Sequence, residues 1–481
     1  MRKIKIKKFA RIFALVFVCA GLILGNTACT SKGGSAEAVA AYKPVKLVYW
    51  RVWDDEDAFD ELIRAYQQAH PNVKIEYKKF RYNEYEQALI RAIAEDRGPD
   101  IFSIHNTWVK KYNPLISSLP ATTSIPVKHL VGTVKKEEVV EIVKKTSLTP
   151  FDLKKNFLDV VAGDVILPKN IGTEKEPKYQ DAIWGLPLSV DSLVMYYNKD
   201  LLNNSGISEP AKNWVEFQDQ VKKITKIDTN TGNFLVSGAA IGAADNVERS
   251  FDILSLLMMQ NLAPMLDESG VAAFDKRPKI AGIESVPGFG ALDFYTQFSS
   301  PLYEGYCWNK EMPGSLTAFE QGRTAYFFGY SYHRPLIEAA APKLNYDIAA
   351  VPQVGEQQKV NYANYWVETV SSKSKNKDYA WDFIQFATKE ENVAGFLDKN
   401  KKPTALRSAK IINQQLADEK ISIWADQLLT ARSWYKGYDP TGAEKAFTDM
   451  INAVNSGTLD TAKAVKQAVE KINQTIKRKP Q

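Results

Sequence analysis

Residues 45–104, VKLVYWRVWDDEDAFDELIRAYQQAHPNVKIEYKKFRYNEYEQALIRAIAEDRGPDIFSI, contain the pattern that decides the fold. Residues 45–50 are typical of a strand. The acids at 54–57 stand where a helix begins, because the positive end of the helix dipole favours carboxylates. The helix that follows has one apolar face with helical spacing, formed by Phe59, Leu62, Ile63 and Tyr66.

The same alternation continues through this stretch. His70-Pro71 ends the helix, and residues 73–77 alternate between apolar and polar, which predicts a second strand. A second amphipathic helix ends at Gly98-Pro99, and residues 100–104 predict a third strand. Strands that alternate with helices at this spacing predict a largely parallel α/β sheet, and ligands of such sheets bind beyond the carboxyl ends of the strands.

The loops that follow these three strands are rich in aromatic and polar side chains. Because the strands are predicted to be parallel, their carboxyl ends should meet at one edge of the sheet. We therefore predict a ligand site at this edge, with contributions from Trp53, Tyr82, His105, Asn106 and Trp108.

Residues 1–28 have the pattern of a secretory signal peptide. Their basic residues, with no acid among them, are Arg2, Lys3, Lys5, Lys7, Lys8 and Arg11. An apolar run over residues 12–24 follows and is too short to span a membrane comfortably. These cations account for the whole net charge of +6, so the processed chain would be neutral. A nucleic-acid partner is not expected, because the usual basic footprint is missing.

The cysteines also indicate export. Thr27-Ala28-Cys29 resembles the lipobox of bacterial lipoproteins, although Asn26 stands where that motif usually has an aliphatic residue. This resemblance implies lipidation of Cys29, attachment to the membrane through acyl chains, and a flexible tether over residues 29–44. Cys307 would then be unpaired, and we predict a buried core residue there.

Motifs for metal and nucleotide chemistry are missing from the sequence. No histidine pair has i, i+4 spacing and no C-x-x-C occurs, so neither a metal nor a cofactor is expected. No P-loop, dinucleotide fingerprint or nucleophile elbow is present. Residues 228–239 begin like a calcium loop, but the glycine comes one position early and Ala239 stands at the last position.

Several short segments carry a family resemblance. They are Gly98-Pro99-Asp100-Ile101-Phe102, Trp184-Gly185-Leu186-Pro187, Tyr196-Tyr197-Asn198-Lys199-Asp200-Leu201, Asn213-Trp214-Val215-Glu216-Phe217, Ala318-Phe319-Glu320-Gln321-Gly322-Arg323-Thr324-Ala325 and the helix at 377–386. In order and spacing they resemble the family 1 extracellular solute-binding proteins, a maltose-binding-protein-like group that includes sugar-transport lipoproteins. The likeness covers nearly the whole chain after the signal peptide.

This resemblance implies a periplasmic-binding-protein-like fold of type II, with two α/β lobes, a hinge and a ligand cleft. Lobe one would comprise residues 45–188 and 349–400, and lobe two residues 189–348 and 401–481. Ligand contacts made by both lobes would close the hinge, and the closed form would deliver the ligand to the permease subunits of an ABC importer. A monomeric extracytoplasmic binding protein, not an enzyme, is expected.

The aromatic content favours a carbohydrate ligand. The chain has 10 tryptophans and 22 tyrosines. Sugars place C–H faces against aromatic rings and hydroxyls against planar polar groups. Beyond the loops named above, we predict ligand contacts from Asp191, Tyr330, Tyr332, Tyr365, Trp366, Arg407 and Trp434.

Plainer roles are open for each of these residues. A tryptophan near a strand end can pack in a core, as we predict for Trp184, Trp214 and Trp381. Asp191 can cap a segment, and Arg407 can pair with a surface acid.

Two other functions are open as well. The same fold can bind a peptide, a polyamine or a phosphate ester. A secreted glycosidase needs only a pair of carboxylates, which Asp191, Glu320 and Glu368 could supply.

Overall fold

The computed structural model describes residues 34–133, 136–355 and 358–477. The predicted signal peptide and Cys29 lie outside these residues. The strands are β1 (Val45–Val52), β2 (Val73–Phe80), β3 (Ile101–His105), β4 (Ile116–Ser117), β5 (Thr122–Val131), β6 (Glu137–Thr146), β7 (Ile166–Asn170), β8 (Tyr179–Ile183), β9 (Asp191–Ser192), β10 (Val194–Asn198), β11 (Lys226–Ile227), β12 (Phe234–Ala239), β13 (Thr324–Gly329), β14 (Tyr346–Ala350), β15 (Asn361–Asn364), β16 (Trp366–Ser371) and β17 (Ala431–Arg432).

The helices follow the same chain order. They are α1 (Ala36–Ala41), α2 (Glu56–Ala69), α3 (Tyr82–Ala94), α4 (Val109–Tyr112), α5 (Pro150–Asn156), α6 (Asp159–Val165), α7 (Lys199–Asn204), α8 (Trp214–Ile224), α9 (Ser250–Gln260), α10 (Pro287–Gln297), α11 (Ser315–Glu320), α12 (His333–Ala340), α13 (Lys377–Ala387), α14 (Glu390–Asn400), α15 (Ala409–Leu416), α16 (Ser422–Gln427), α17 (Pro440–Asn455) and α18 (Thr461–Lys477). Among the described helices, none is both long and apolar enough to cross a membrane.

A small compact unit combines residues 34–42 with residues 126–133 and 136–142. In it, Gly34 pairs with Val140 in a β-bridge. The φ angle of Gly34 is 101°, and a Cβ there would lie 1.9 Å from the Val140 carbonyl oxygen, so only glycine fits. Helix α1 follows, with Ala38 fully buried. The predicted flexible tether is therefore helical at residues 36–41.

The larger unit comprises residues 43–125, 143–355 and 358–477 and contains two main sheets. The first has the order β2–β1–β3–β16–β4. β1 runs parallel to β2 and to β3, as the alternation of strands and helices predicts, and β16 runs antiparallel to β3. The predicted apolar face of α2 is largely buried, and the ring of Phe59 lies 5.0 Å from that of Phe396 on α14.

The second sheet has the order β11–β12–β13–β10–β14 and is covered on both faces. Successive side chains of a strand point to opposite faces. Met195 and Phe328 accordingly join a large core with α8, α9, α10, α17 and α18. Val194 and Phe327 join a smaller core with Trp424. Cys307 is buried in the large core, which confirms its predicted role.

A short three-stranded sheet, β17–β15–β9, stands where the chain passes between the two main sheets. β9 is followed after one residue by β10 of the second sheet, and β15 after one residue by β16 of the first. The protein thus has two α/β lobes with a junction of paired extended segments. The exact lobe boundaries stay a prediction.

Candidate ligand-binding cleft

Four aromatic rings from both lobes form one stack. The ring of Trp53, just after β1, lies 4.7 Å from that of Tyr332, which follows β13, with 17° between the ring planes. Tyr82 stacks on Trp53 at 5.5 Å, and Tyr330 stacks on Tyr332 at 6.0 Å. Parallel or offset rings at these distances attract one another beyond the burial of their area. The stack therefore links the edge of the first lobe to the edge of the second.

Trp366, the first residue of β16, is the centre of a second aromatic group. Its ring meets those of Tyr82, His105 and Trp108 at centroid distances of 6.3, 5.9 and 5.7 Å, each in an edge-on arrangement. Trp108 in turn stacks on Tyr112 at 5.8 Å. Residues at the ends of β2 and β3 and the first residue of β16 thus come together at the predicted edge of the first sheet.

An open cleft with a volume of about 690 Å³ adjoins the Trp53 stack. Residues 53–55, 57, 58 and 82 line it from the first lobe, and residues 331, 332, 334–336 and 338 line it from the second. Its volume lies within the range of about 300–1,000 Å³ that is usual for small-molecule sites. Both lobes contribute walls, so hinge closure can act on a molecule held there.

A larger cavity of about 1410 Å³ lies almost wholly within the second lobe, between α8, α10, β14 and α16. It contains none of the predicted ligand residues. A cavity built from one lobe does not change when the lobes close. The smaller cleft is therefore the better candidate site.

A chain of hydrogen bonds crosses the lobe junction beside the stack. His105 Nε2 lies 3.0 Å from Asn364 Oδ1, and Asn364 Nδ2 donates to Asp252 Oδ2 at 3.3 Å. Asp252 also accepts from the Tyr330 hydroxyl at 2.6 Å and from two nitrogens of Arg249 at 2.7 and 2.8 Å. These side chains come from β3, β15, α9 and the residues next to α9 and β13, so the chain joins both lobes to the junction sheet.

His105 is neutral in this arrangement. Burial and the nearby positive charge of Arg249 lower its pKa to about 4. The backbone N–H of Thr107 points at Nδ1 at 3.4 Å, so that nitrogen accepts. Nε2 therefore carries the proton and donates to Asn364.

Asn106 and Tyr365 bind the same buried carboxylate, that of Asp164 on α6. Asn106 Nδ2 donates at 2.9 Å and the Tyr365 hydroxyl at 2.7 Å. The Ser433 hydroxyl, just after β17, lies 2.6 and 2.8 Å from the two Asp164 oxygens. Within the described chain, no group donates to the buried Oδ1 of Asn106.

Two of the predicted stacking platforms need correction. Tyr330 and Tyr365 are 0% and 3% exposed, so neither ring has an open face for a ligand. Their hydroxyls hold Asp252 and Asp164 instead. These two tyrosines therefore hold carboxylates in place but offer no ring face to a ligand.

Asp191 lies at the junction, on β9. Its Oδ2 accepts from the backbone N–H and the hydroxyl of Ser331 at 2.9 and 2.6 Å, and its Oδ1 accepts from the Ser192 N–H at 2.8 Å. Part of the residue is exposed, but these donors enclose its carboxyl group. Burial outweighs the hydrogen bonds and raises the pKa of Asp191 to about 6.

Trp434 is a core residue and not a ligand platform. It is 3% exposed, its Nε1 donates to the Ser255 hydroxyl at 2.9 Å, and its ring stacks on that of Phe251 at 5.8 Å. All these partners belong to the large core of the second lobe or to its helix α9. The prediction for Trp434 was wrong because an aromatic residue near a strand end has the same local signature in either place.

Arg407 is also away from the aromatic groups. Its Nε donates to the Phe157 carbonyl at 2.9 Å, and its guanidinium pairs with the surface carboxylate of Asp159. The surface-pair alternative thus describes this residue better than a ligand contact.

A buried charge network, formed by Arg51, Asp54, Glu368 and Lys402, surrounds the backbone of Trp53. Arg51 Nη2 and Lys402 Nζ each lie 2.8 Å from an Asp54 oxygen, and Arg51 Nη1 pairs closely with Glu368. Burial raises the pKa of Asp54, but Lys402 and Arg51 outweigh it and hold the pKa below its usual value. The carboxylate is therefore ionised at neutral pH.

Several residues of the site had no usable signal in the sequence. Asp164, Arg249 and Asp252 belong to segments without a distinctive motif, and only the fold brings them to the junction. Asn364 directly precedes the predicted ligand residues Tyr365 and Trp366, and these neighbours were the one available hint. Across the described residues, no three histidine, cysteine or acidic side chains are grouped so that they could hold a metal ion.

Comparison with known proteins agrees with this arrangement. The model of the bacterial extracellular solute-binding protein family matches residues 53–394. A binding protein of Brucella abortus is 22% identical over 359 residues, which cover 71% of this chain and 72% of that protein. The galactooligosaccharide-binding protein of Bacillus subtilis is 18% identical over 98% of this chain and 99% of its own.

A solved structure shares the fold. The ABC substrate-binding protein of Listeria monocytogenes in complex with cycloalternan superposes with a TM-score of 0.65 at 17% identity, covering 90% of this chain and 99% of that one. The periplasmic-binding-protein-like fold of type II is thereby confirmed.

Proposed function

The chain belongs to the bacterial extracellular solute-binding proteins, and from this premise we propose that it captures an oligosaccharide and delivers it to an ABC importer. Members of this family are binding proteins, and we propose that this chain too releases its ligand unchanged. The observation that supports a sugar most directly is the stack of Trp53, Tyr82 and Tyr332 at a cleft that both lobes line.

The chemistry of the cleft suits a polyhydroxylated ligand. Flat rings can cover the C–H faces of sugars, while carboxylate, amide and hydroxyl groups can bond their hydroxyls. Trp53 and Tyr332 both line the cleft, one from each lobe, so a sugar held there can contact both side chains. Contacts that exist only when both lobes engage the ligand favour the closed state by their differential free energy.

A charged ligand fits the cleft less well. Three of the cations that line it are paired, with Lys79 2.8 Å from Asp55, Lys402 2.8 Å from Asp54, and Arg334 3.0 Å from Glu338. A phosphate ester would need convergent unpaired cations. These pairs offer no free charged group that would bind a peptide or a polyamine.

Two of the three carboxylates considered for a glycosidase, Glu368 and Asp191, are poorly placed for one. Glu368 Oε2 accepts from the Tyr49 and Ser103 hydroxyls at 2.6 and 2.7 Å, and Glu368 is 2% exposed. Asp191 is enclosed by Ser331 and Ser192. Neither carboxylate has a free approach to a glycosidic bond.

We also propose that the protein works outside the cell membrane as a monomer, attached through lipidated Cys29. The supporting observations are the family, the short apolar run at residues 12–24, and the lipobox-like Thr27-Ala28-Cys29. Its partners would be the oligosaccharide, the permease subunits and the lipid bilayer. Metabolic labelling with a radioactive fatty acid tests the anchor, and Cys29→Ala should abolish the label.

A thermal-shift screen tests the ligand. The purified chain is heated with maltotetraose, a galactooligosaccharide mixture, peptides, spermidine and sugar phosphates. We expect stabilisation by a neutral oligosaccharide only, because a ligand at about 100 times its Kd adds about 2.7 kcal/mol to the unfolding free energy.

The best sugar is then titrated against Trp53→Ala, Trp366→Ala and the wild type by calorimetry. We expect Trp53→Ala and Trp366→Ala to weaken binding while the apo melting temperature changes little. Chromatography of the sugar after incubation should show no product. Stabilisation by spermidine or a peptide alone, or shortening of the sugar, would contradict the proposal.

A further inference from the structure

Trp53 has an unusual backbone conformation for its residue type. Its φ is 71°, in the left-handed region where a side chain with a Cβ is disfavoured and glycine is usual. The residue occupies the turn between the end of β1 and the start of α2, and the Asp54 N–H donates to the Val52 carbonyl at 2.9 Å across it. A strained backbone persists only where the surroundings hold it in place.

The surroundings of this turn are the network of Arg51, Asp54, Glu368 and Lys402. Arg51 and Asp54 are the residues on either side of Val52-Trp53, and their side chains meet through two contacts, at 3.1 and 2.8 Å. This pair therefore connects the two ends of the turn through their side chains. The Tyr77 hydroxyl, from β2, donates to the Asp54 carbonyl at 2.7 Å and so also holds the backbone at the end of the turn.

The network extends away from the cleft into the first lobe. Arg51 pairs with Glu368 of β16, and neither residue lines the cleft. Arg51 is 4% exposed and Glu368 2%. Charges buried to this extent keep their geometry only when each has its partner, because an unpaired buried charge is strongly disfavoured. The position of Arg51 therefore depends on a carboxylate that a ligand in the cleft does not touch.

We propose that Arg51, Asp54 and Glu368 are positioning residues, which hold Trp53 in its left-handed conformation and so place its ring against Tyr332. This inference rests on the proposed function for its effect on ligand affinity, but not for its effect on the Trp53 ring. Lys402 extends the network to the segment between α14 and α15. The orientation of the ring is thus set by buried charge pairs and not by contacts of the ring alone.

A matched pair of variants tests this role. Glu368→Gln removes the charge that faces Arg51 while it keeps the shape of the side chain. Asp382→Asn is the control, because Asp382 is also a buried carboxylate of the first lobe and accepts from the Tyr66 hydroxyl at 3.0 Å and pairs with Lys145 at 2.9 Å. It belongs to a separate group of contacts, so it reports the general cost of neutralising a buried acid.

The first readout is the near-ultraviolet circular dichroism of the unliganded protein. Stacked Trp53 and Tyr332 contribute to it, and the difference spectrum between wild type and Trp53→Ala identifies their share. We expect Glu368→Gln to lose much of that share and Asp382→Asn to keep it. The second readout is the Kd for the best neutral oligosaccharide of the screen, which Glu368→Gln should raise about tenfold, the scale at which residues behind a binding site act.

The outcomes separate this inference from the proposed function. A near-ultraviolet spectrum of Glu368→Gln that matches the wild type would overturn the positioning role, whatever the affinity. If no oligosaccharide binds the wild type, the proposed function fails, and the spectra alone still decide the role. If Glu368→Gln does not fold, Lys402→Met decides it by the near-ultraviolet spectrum alone, because Lys402 itself lines the cleft; Lys401→Met is the control, because Lys401 also lines the cleft but pairs with Asp398 and Asp418.

Discussion

The aromatic residues around Trp53 and those around Trp434 each contain one tryptophan but have different partners and different surroundings. Trp53 stacks on tyrosines from two lobes beside an open cleft. Trp434 stacks on Phe251 and meets Phe447 at 5.9 Å within one core, where its indole N–H is satisfied by Ser255. The difference shows that an aromatic cluster is a candidate platform only where its partners come from parts of the chain that can separate.

The largest expected effect is the difference in stability between an alanine variant of the Trp434 cluster and one of the Trp53 cluster. Trp434→Ala leaves a cavity in the large core and should lower the unfolding free energy by about 3–5 kcal/mol. Urea denaturation followed by far-ultraviolet circular dichroism measures this. Trp53→Ala is the comparison and should cost less, since its ring is partly exposed. A small loss for Trp434→Ala together with abolished sugar binding would reverse the assignment.

A pH effect should appear at the junction beside the cleft but not in the Trp434 core. The folded-state pKa of Asp191 is raised to about 6 from 3.8, so the folded state binds its proton more tightly than the unfolded state. The stability from Asp191 is fully present below about pH 4 and is lost as the pH rises through 6.

In the wild type, the Asp191 contribution to the unfolding free energy should fall by about 1–3 kcal/mol between pH 4 and pH 7. Asp191→Asn should not show this fall. Urea midpoints across this range measure the slope for wild type and variant. His105 acts in the opposite direction, because its pKa is lowered to about 4 and its contribution is lost as the pH falls. Equal slopes for wild type and Asp191→Asn would show that the pKa of the Asp191 carboxyl is the same in the folded and unfolded states.

A smaller effect tests the backbone of Trp53. Alanine at this position keeps the cost of a Cβ in the left-handed region, and glycine does not. Trp53→Gly should therefore be more stable than Trp53→Ala by up to about 1 kcal/mol, although both lose the ring. Thermal unfolding of the two variants measures the difference. A more stable alanine variant would mean that the turn relaxes once the ring is gone.

The smallest effect concerns Arg407. Its guanidinium pairs with an exposed carboxylate, and such pairs contribute little. Arg407→Ala should change the unfolding free energy by about 0.5 kcal/mol or less and leave the Kd for the oligosaccharide unchanged. Calorimetry with the best sugar of the screen measures the second quantity. A higher Kd for Arg407→Ala than for the wild type would show that Arg407 does contribute to ligand binding.

Much of the first lobe was predictable because its signals are local. The spacing of Phe59, Leu62 and Tyr66 predicts α2, and the alternation of strands with helices predicts the parallel pairing of β1 with β2. The predicted core roles of Trp184, Trp214 and Trp381 are confirmed by their burial. The spacing of apolar residues and the order of strands and helices along the chain are enough to predict such elements, because hydrophobic faces must be buried together.

The candidate site was only partly predictable. Trp53, Tyr82, Tyr332 and Trp366 do come together. The order of strands gave a reason to expect Trp53 and Tyr82 there, but the sequence offered none to choose Tyr332 and Trp366 over Trp434. The partners Asp164 and Asp252 had no motif at all. Their roles depend on contacts between residues far apart in the chain, which periodicity does not describe.

The sequence by itself determined the alternation of strands and helices, the family resemblance and the aromatic richness of the loops after the strands. These follow from local spacing and residue type. Only the tertiary structure decided which rings meet across the lobes, which tyrosines are held by buried carboxylates, and how the Trp53 turn is closed. The physical reason is that stacking, burial and charge pairing depend on distances between atoms, and those distances are set by the packing of the whole chain.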